Sequence, residues 1–451
     1  MHHRTQRVIR RSGPVGLLAT GALALATASA VALPGVTPAT YATELAPGES
    51  VTITKTVETP PIPPNPDIVL MADTTGSMGP SIGNVRTNAA AIVGQVQAAQ
   101  PTAQFAVAEY KDTVDGPSNV YRVNQQLTAS SSDVQTGINQ WSASGGGDLP
   151  EAWIGALGRI PTTIDFRPDG TRVVVMFGDA PSHDPSLGFT LATATAGLQA
   201  ADVRVIAISV PGGPGLDATG QATHVTSQTG GALAAADPDQ VSAEILSQLE
   251  NLAAEVTHEV SCDPGVSATL DPASATVTSG QSVDFEETIT LAADAPQGET
   301  VSCEVRFLVN GSLPGPEFVQ TIDIDVLDVT PPTVACTESS NPGGNVPKAG
   351  GTLPNPQGQN QDGFYRLDAT DLVDPDPAVY LRDTGSGHVF GPYADGQQIK
   401  YTQAASGPSE KPLGGSGILH LTGTGDGELF AEDSSGNVSD PVACLVPAPP
   451  M

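Results

Sequence analysis

Asp73, Thr75 and Ser77 stand at every second position of DIVLMADTTGSMGP, Asp67–Pro80, one carboxylate and two hydroxyls directly after an apolar run. Asp179 closes a second apolar run in RVVVMFGD, Arg172–Asp179. Between them, the glycine-rich GGGDLPEA, Gly145–Ala152, delivers Asp148 and Glu151 just before a helical stretch. Oxygen is the only ligand atom on offer, and hard divalent cations prefer it: Mg²⁺ takes six oxygens at about 2.1 Å and usually keeps some of them as water. Neutral hydroxyls leave such an ion with net positive charge. It then attracts one more anionic oxygen from outside, such as an Asp or Glu side chain of a partner.

These residues need a scaffold that brings three distant segments to one rim. DIVLMAD (Asp67–Asp73), RVVVMFGD and VRVIAISV (Val203–Val210) are nearly continuous apolar runs, as parallel strands covered on both faces require. Ile82, Val85, Ala89, Ile92, Val93 and Val96 keep helical spacing between them, and Val241, Ile245, Leu249, Leu252 and Val256 do so again after Pro238. QFAVAEY and VYRVNQQL read as a further strand pair. Strands alternating with helices predict a doubly wound α/β domain over 66–256, whose ligands sit at the C-terminal ends of the strands.

The flanks read differently. Val51 and Ile53 alternate with Thr in one strand ahead of a proline-rich linker. After the α/β segment, Val283, Phe285, Ile289 and Leu291, then Cys303, Val305, Phe307 and Val309, then Ile322, Ile324 and Val326 alternate with polar residues. This is the rhythm of an Ig-like β-sandwich. One strand cannot fold alone, so residues 44–60 are expected to join 260–328 in that sandwich, with the α/β domain inserted between its first and second strands. Paired prolines in DVTPPTVAC open a C-terminal β-sandwich over 329–451, after a Gly/Pro-rich stretch, Asn341–Gly363.

Composition bounds the function. Eighteen Lys+Arg against 49 Asp+Glu give a net charge of −31, which disfavours nucleic acid and anionic membranes as partners. Arg4, Arg7, Arg10 and Arg11 precede an apolar Val15–Leu33, and Ala28-Ser29-Ala30 offers a cleavage motif. Residues 1–30 therefore read as a signal peptide of a secreted, extracellular protein, with Ala32 and Ala42 as rival cleavage points. Export implies oxidation of Cys262, Cys303, Cys336 and Cys444. Of three connectivities, Cys262–Cys303 with Cys336–Cys444 is preferred, because each pair then brackets one C-terminal segment.

DTTGSM, GGGDLPEA and GDAPSH, in that order and on those strands, resemble a von Willebrand factor A (vWA) domain, in the branch found in the integrin β subunit and hemicentin. The resemblance covers about 66–256. It implies a metal-ion-dependent adhesion site at Asp73, Thr75, Ser77, Glu151 and Asp179, holding Mg²⁺, with Mn²⁺ or Ca²⁺ as substitutes. Integrin β subunits also insert this domain into a β-sandwich. They follow the hydroxyl motif with an acidic pair for a neighbouring calcium, and here those places are Pro80 and Ser81. A second flanking site would use Asp112, Asp148, the carbonyl of Pro150 and Glu151, but an Asn of that pattern is Gly146.

Simpler roles compete for several of these residues. Asp73 and Ser77 could cap a helix, and Asp148 could cap the one starting at Pro150. His183 reads as a loop histidine. Asp368, Asp371, Asp374 and Asp376 could hold Ca²⁺, yet Asp-Pro turns also explain them. Asn310 and Asn437 begin NGS and NVS sequons. No Ser-His-Asp ordering, activated Cys or HExxH is present, so an enzyme is not expected. The expected function is adhesion or recognition, through a protein partner that presents an acidic side chain to the metal, with a glycan as the other ligand class and no membrane insertion. The alternative is a structural subunit of a secreted or surface assembly, whose metal only stabilises the fold.

Overall fold

The computed structural model describes residues 33–116, 118–147, 149–339, 363–413 and 417–444. The leader read at 1–30, Asp148 and nearly all of the stretch Asn341–Gly363 lie outside the described residues. From Pro34 onward the chain is one compact unit.

The chain enters through β1 (Gly35–Thr37), β2 (Thr40–Leu45) and β3 (Ser50–Glu58). The sequence predicts a single strand here, and there are three. β1 is very short, and β2 lacks a clean inward row, so neither carries an alternation strong enough to read. Ala42, one of the rival cleavage points, lies inside β2.

The α/β segment follows. Its elements are β4 (Pro66–Asp73), α1 (Gly79–Ala99), β5 (Gln104–Tyr110), β6 (Tyr121–Thr128), α2 (Ser131–Ile138), α3 (Trp153–Thr163), β7 (Thr171–Gly178), α4 (Leu191–Ala200), β8 (Val203–Ser209), α5 (Gln221–Gln228), β9 (Ala232–Ala235) and α6 (Val241–Glu250). The sheet order is β6-β5-β4-β7-β8-β9, parallel throughout except for β6. Ile68, Leu70 and Ala72 face α1 and α6 in one core, while Val69 and Met71 face α3 and α4 in the other. A strand with both faces covered has no polar row to show, which explains the unbroken apolar run. The strand order reverses beside β4, and open α/β sheets bind their ligands outside the strand ends at such a point.

Helical spacing runs past its helix at the end of this segment. α6 stops at Glu250, and β10 (Ala253–Cys262) takes up Val256. Leu252 and Val256 are four apart, a spacing compatible with one helix face and equally with one strand face. Ala254 and Val256 are buried around an exposed Glu255, the strand solution.

β11 (Val266–Asp271), β12 (Ser274–Thr278), β13 (Ser282–Leu291), β14 (Thr300–Val309) and β15 (Val319–Val326) complete two sheets, ordered β1-β3-β13-β11 and β12-β10-β14-β15-β2, around one shared core. β3 pairs with β13 over nine residues, and β2 runs parallel to β15. The chain thus leaves these sheets after its third strand, not its first, and returns at β10. Cys262 and Cys303 face each other across β10 and β14 and are bonded. Lys55 and Glu287 lie in the inward rows, both fully buried, with Lys55 Nζ 3.7 Å from Glu287 Oε2 and Gln320 Nε2 donating to that oxygen at 2.8 Å.

The C-terminal part holds β16 (Thr333–Glu338), β17 (Phe364–Thr370), β18 (Ala378–Asp383), β19 (Val389–Tyr393), β20 (Gln397–Gln403), β21 (Ser409–Pro412), β22 (Leu419–Gly423), β23 (Gly427–Glu432) and β24 (Val442–Cys444). The sheets are ordered β16-β17-β20-β22-β21 and β19-β18-β23-β24, again enclosing one core. The Cys336–Cys444 disulfide ties β16 to β24. Among the described residues no helix is long and apolar enough to cross a membrane.

Candidate metal centre at the sheet rim

Asp73 is the last residue of β4 and is fully buried. Its Oδ1 accepts hydrogen bonds from the Thr75 amide at 2.9 Å and the Thr75 hydroxyl at 2.7 Å, which fixes the turn leaving the strand. Thr75 is buried, whereas Ser77, in the single 3₁₀ turn before α1, is exposed. Glu151 is set from the opposite side. Its amide donates to Pro181 O at 2.9 Å and its carbonyl accepts from the His183 amide at 2.7 Å, so its backbone is stitched to the segment after β7. Asp179 is the first residue of that segment and is also buried.

Thr75, Ser77, Glu151 and Asp179 line one cleft of about 470 Å³, together with Gly145, Gly146, Gly147 and Leu149. Among the described residues, Asp73 Oδ2, Glu151 Oε2 and Asp179 Oδ2 are buried with no hydrogen-bond partner, Asp73 lying next to Tyr110 and outside the cleft lining itself. Buried ionised oxygens without partners are costly. Burial pushes Asp73 up to about 7, with the charge of Asp179 adding to the shift while Thr75 and Lys111 oppose it. Burial pushes Glu151 up to about 8, reinforced by the charges of Asp73, Asp112, Asp179 and Asp115. A divalent cation would reverse this balance, and the oxygen-only donor set fits a hard ion.

Several residues that shape the cleft carry no motif. The Lys111 ammonium donates to the carbonyls of Thr74, Ser142 (3.1 Å) and Ser144 (2.6 Å), clamping the glycine loop over the end of β4. Asp115 Oδ2 accepts from the Gly146 amide at 3.0 Å. Gly212 and Gly213 pack on Asp179 so closely that a Cβ on either would stand 2.5–2.6 Å from its oxygens. The GG of VPGGPG, following β8, is the local signal that marks this approach.

The residues of the second site are less convergent. Asp112 Oδ1 accepts from the Thr113 amide at 2.6 Å and lies 3.0 Å from His183 Nε2, so the loop histidine contacts a buried carboxylate. Its charge also reaches Glu151. Pro150 directly precedes Glu151 but is not among the residues lining the cleft, and Asp148 lies outside the described residues. Pro80 and Ser81 open α1, where Ser81 is buried.

Of the four aspartates considered for Ca²⁺, Asp368 pairs with Arg366, Asp374 accepts from the Ser434 amide, and the Asp376 amide caps Asp374. Asp371 keeps different company, with Asp328 and Asp433.

Residues 67–209 match the model of the von Willebrand factor A domain. No curated protein matches the chain. Among solved structures, proximal thread matrix protein 1 from the mussel byssus is similar at 16% identity and a TM-score of 0.34, over 45% of this chain and 47% of that one. A second structure of the same mussel protein, with a zinc-occupied MIDAS motif, gives 17% and 0.33 over the same shares. The chain thus spans about half the length of these neighbours. With the sheet order, the two covered faces and the family match taken together, the segment 67–209 carries a von Willebrand factor A-type α/β domain.

Proposed function

We propose that the protein is a secreted adhesion or recognition protein that holds Mg²⁺ through Asp73, Thr75, Ser77, Glu151 and Asp179, and binds a protein partner through that ion. The observation that carries this reading is the set of three buried, unpartnered carboxylate oxygens beside a cleft lined by two hydroxyl side chains. Thr75 and Ser77 contribute neutral oxygens, so the ion keeps charge for an incoming Asp or Glu carboxylate. The net charge of −31 does not prevent this, because charge more than about 8 Å away is largely screened at physiological salt, whereas a ligand oxygen joins the ion's first shell. No proton-transfer or nucleophilic role is assigned to the rim, and the reading is non-enzymatic.

The test is capture from the native extracellular milieu by the full chain, with Mg²⁺, with EDTA, and with Ser77→Ala. Capture in Mg²⁺ should fall at least about tenfold in EDTA and in the variant. Equal capture in all three would overturn the metal-bridge reading and favour a structural subunit whose metal only supports the fold.

A further inference from the structure

Asp328, Asp371 and Asp433 each offer a carboxylate oxygen, and these oxygens all lie within 4.8 Å of one another. Among the described residues this is the one group of three carboxylate, imidazole or thiol side chains that approach so closely. The three come from separate places: the segment between β15 and β16, the turn after β17, and the loop after β23. Each side chain is held in place by its Oδ1. Asp328 Oδ1 accepts from the Thr330 amide at 3.1 Å, Asp371 Oδ1 from the amides of Val373 and Asp374 at 2.8 Å, and Asp433 Oδ1 from those of Ser435 and Asn437 at 2.9 and 2.8 Å.

What the fixed geometry leaves over points to a ligand. Asp328 and Asp371 are half-buried, but the Oδ2 of each is closed off from solvent and has no hydrogen-bond partner among the described residues. Asp433, itself 6% exposed, receives on Oδ2 only the side-chain amide of Asn437, at 2.9 Å. Among the described residues none of the three takes part in an ion pair. Two such oxygens beside a third carboxylate, with no cation near among the described residues, favour the entry of a positive ion.

We propose that Asp328, Asp371 and Asp433 form a Ca²⁺ site that locks the junction between the two β-sheet modules. The donor set is oxygen alone, with no imidazole or thiolate, which excludes the usual zinc and copper ligands. Ca²⁺ accepts irregular oxygen shells at 2.3–2.6 Å, so two of its ligands can stand up to about 5 Å apart, the scale on which these three oxygens are gathered. Location supplies the role. Asp328 belongs to the connector between the modules, and Asn437 Nδ2 already donates to its carbonyl at 3.1 Å. Beside Asp371, Val373 packs against Gly298 of the preceding module so closely that a Cβ there would clash at 2.4 Å. An ion bound to all three carboxylates would therefore tie the connector to two loops of the last module, and reduce swinging of that module relative to the rim that binds the partner.

The experiment uses the full chain carrying Asp73→Ala, which removes the rim ion, stripped with EDTA and titrated with Ca²⁺ alone. One Ca²⁺ should bind with a dissociation constant of about 10⁻⁴–10⁻³ M, the range of extracellular modules. Adding Asp371→Asn or Asp328→Asn should weaken it at least tenfold. Thermal unfolding separates ligation from a purely structural role: Asp371→Asn keeps Oδ1 and removes charge, so in EDTA its C-terminal transition should lie above that of the Asp371 chain, while the rise on adding Ca²⁺ disappears. Proteolysis within Leu327–Pro332 should slow in Ca²⁺ only when Asp371 is intact. Absence of Ca²⁺ binding in the Asp73→Ala chain, or equal affinity with and without Asp371→Asn, overturns the site and leaves the rim metal untouched.

Discussion

Gly146 offers the sharpest test of the rim. Its φ is +75°, and a Cβ built on it would stand 2.8 Å from Thr75 Cβ, 3.1 Å from Thr75 Cγ2 and 3.4 Å from Glu151 Oε1. Ordinary carbon contacts begin near 3.4 Å, so Gly146→Ala forces Thr75 or the loop to move by about 0.6 Å. The loop is tethered, because Lys111 holds the carbonyls of Ser142 and Ser144 and Asp115 accepts from the Gly146 amide. Metal–ligand distances tolerate only about 0.2 Å. The Thr75 hydroxyl should therefore leave both the ion and Asp73 Oδ1, and Mg²⁺ affinity should fall at least about tenfold, or ~1.4 kcal/mol. The left-handed backbone adds about 1–2 kcal/mol of destabilisation, but equally with and without metal, so it enters the melting temperature and not the affinity. Gly147→Ala is the control, since its Cβ would meet only Val114 Cγ2 at 3.2 Å, on a side chain that is 62% exposed and can swing away. Calorimetric titration of Mg²⁺ into the two full-length variants decides the matter. Wild-type affinity in Gly146→Ala would show that Thr75 is not a ligand.

Three further outcomes follow from the same structure. In EDTA, Asp73 and Glu151 have folded-state values raised to about 7 and about 8, so their contribution is present below the ordinary carboxylate range and is lost as pH rises through those values. The melting temperature of the α/β domain in EDTA should fall between about pH 4 and 8, and saturating Mg²⁺ should remove that fall; a metal-free curve flat over this window would refute the carboxylate burial. Lys55→Met leaves Glu287 buried without its cation and should cost about 3–5 kcal/mol in denaturant unfolding of the first sheet module, most of it recovered in Lys55→Met/Glu287→Leu. Deleting the chain up to Thr59 removes β1, β2 and β3, taking Val36, Leu45 and Val57 from the core and baring β13 and β15. Proteolysis within 260–328 should then accelerate, and an unchanged rate would mean these strands add nothing to that module.

What the sequence determined by itself is what local pattern can encode. Unbroken apolar runs ending at Asp73 and Asp179 mark strands covered on both faces, and a functional residue one step past such a strand must sit on the rim. Alternation in 283–291, 303–309 and 322–326 likewise marks strands with one buried face, because a strand's own pleat sets the period. Pattern misled where two periods coincide, as at Leu252 and Val256. Tertiary structure decided what depends on partners far along the chain. Lys55 and Glu287 fall in the inward rows of their strands, yet only the pairing of β3 with β13 and the reach of Gln320 show how two charges share a core. The clamp of Lys111 on three carbonyls and the pressure of Gly212 and Gly213 on Asp179 need no particular spacing, because each joins loops that the sheet order alone brings together. Asp371 looked equivalent to Asp368, Asp374 and Asp376. It differs because the fold sets it, and none of those neighbours, against Asp328 and Asp433, which come from the inter-module connector and a loop some sixty residues further along the chain.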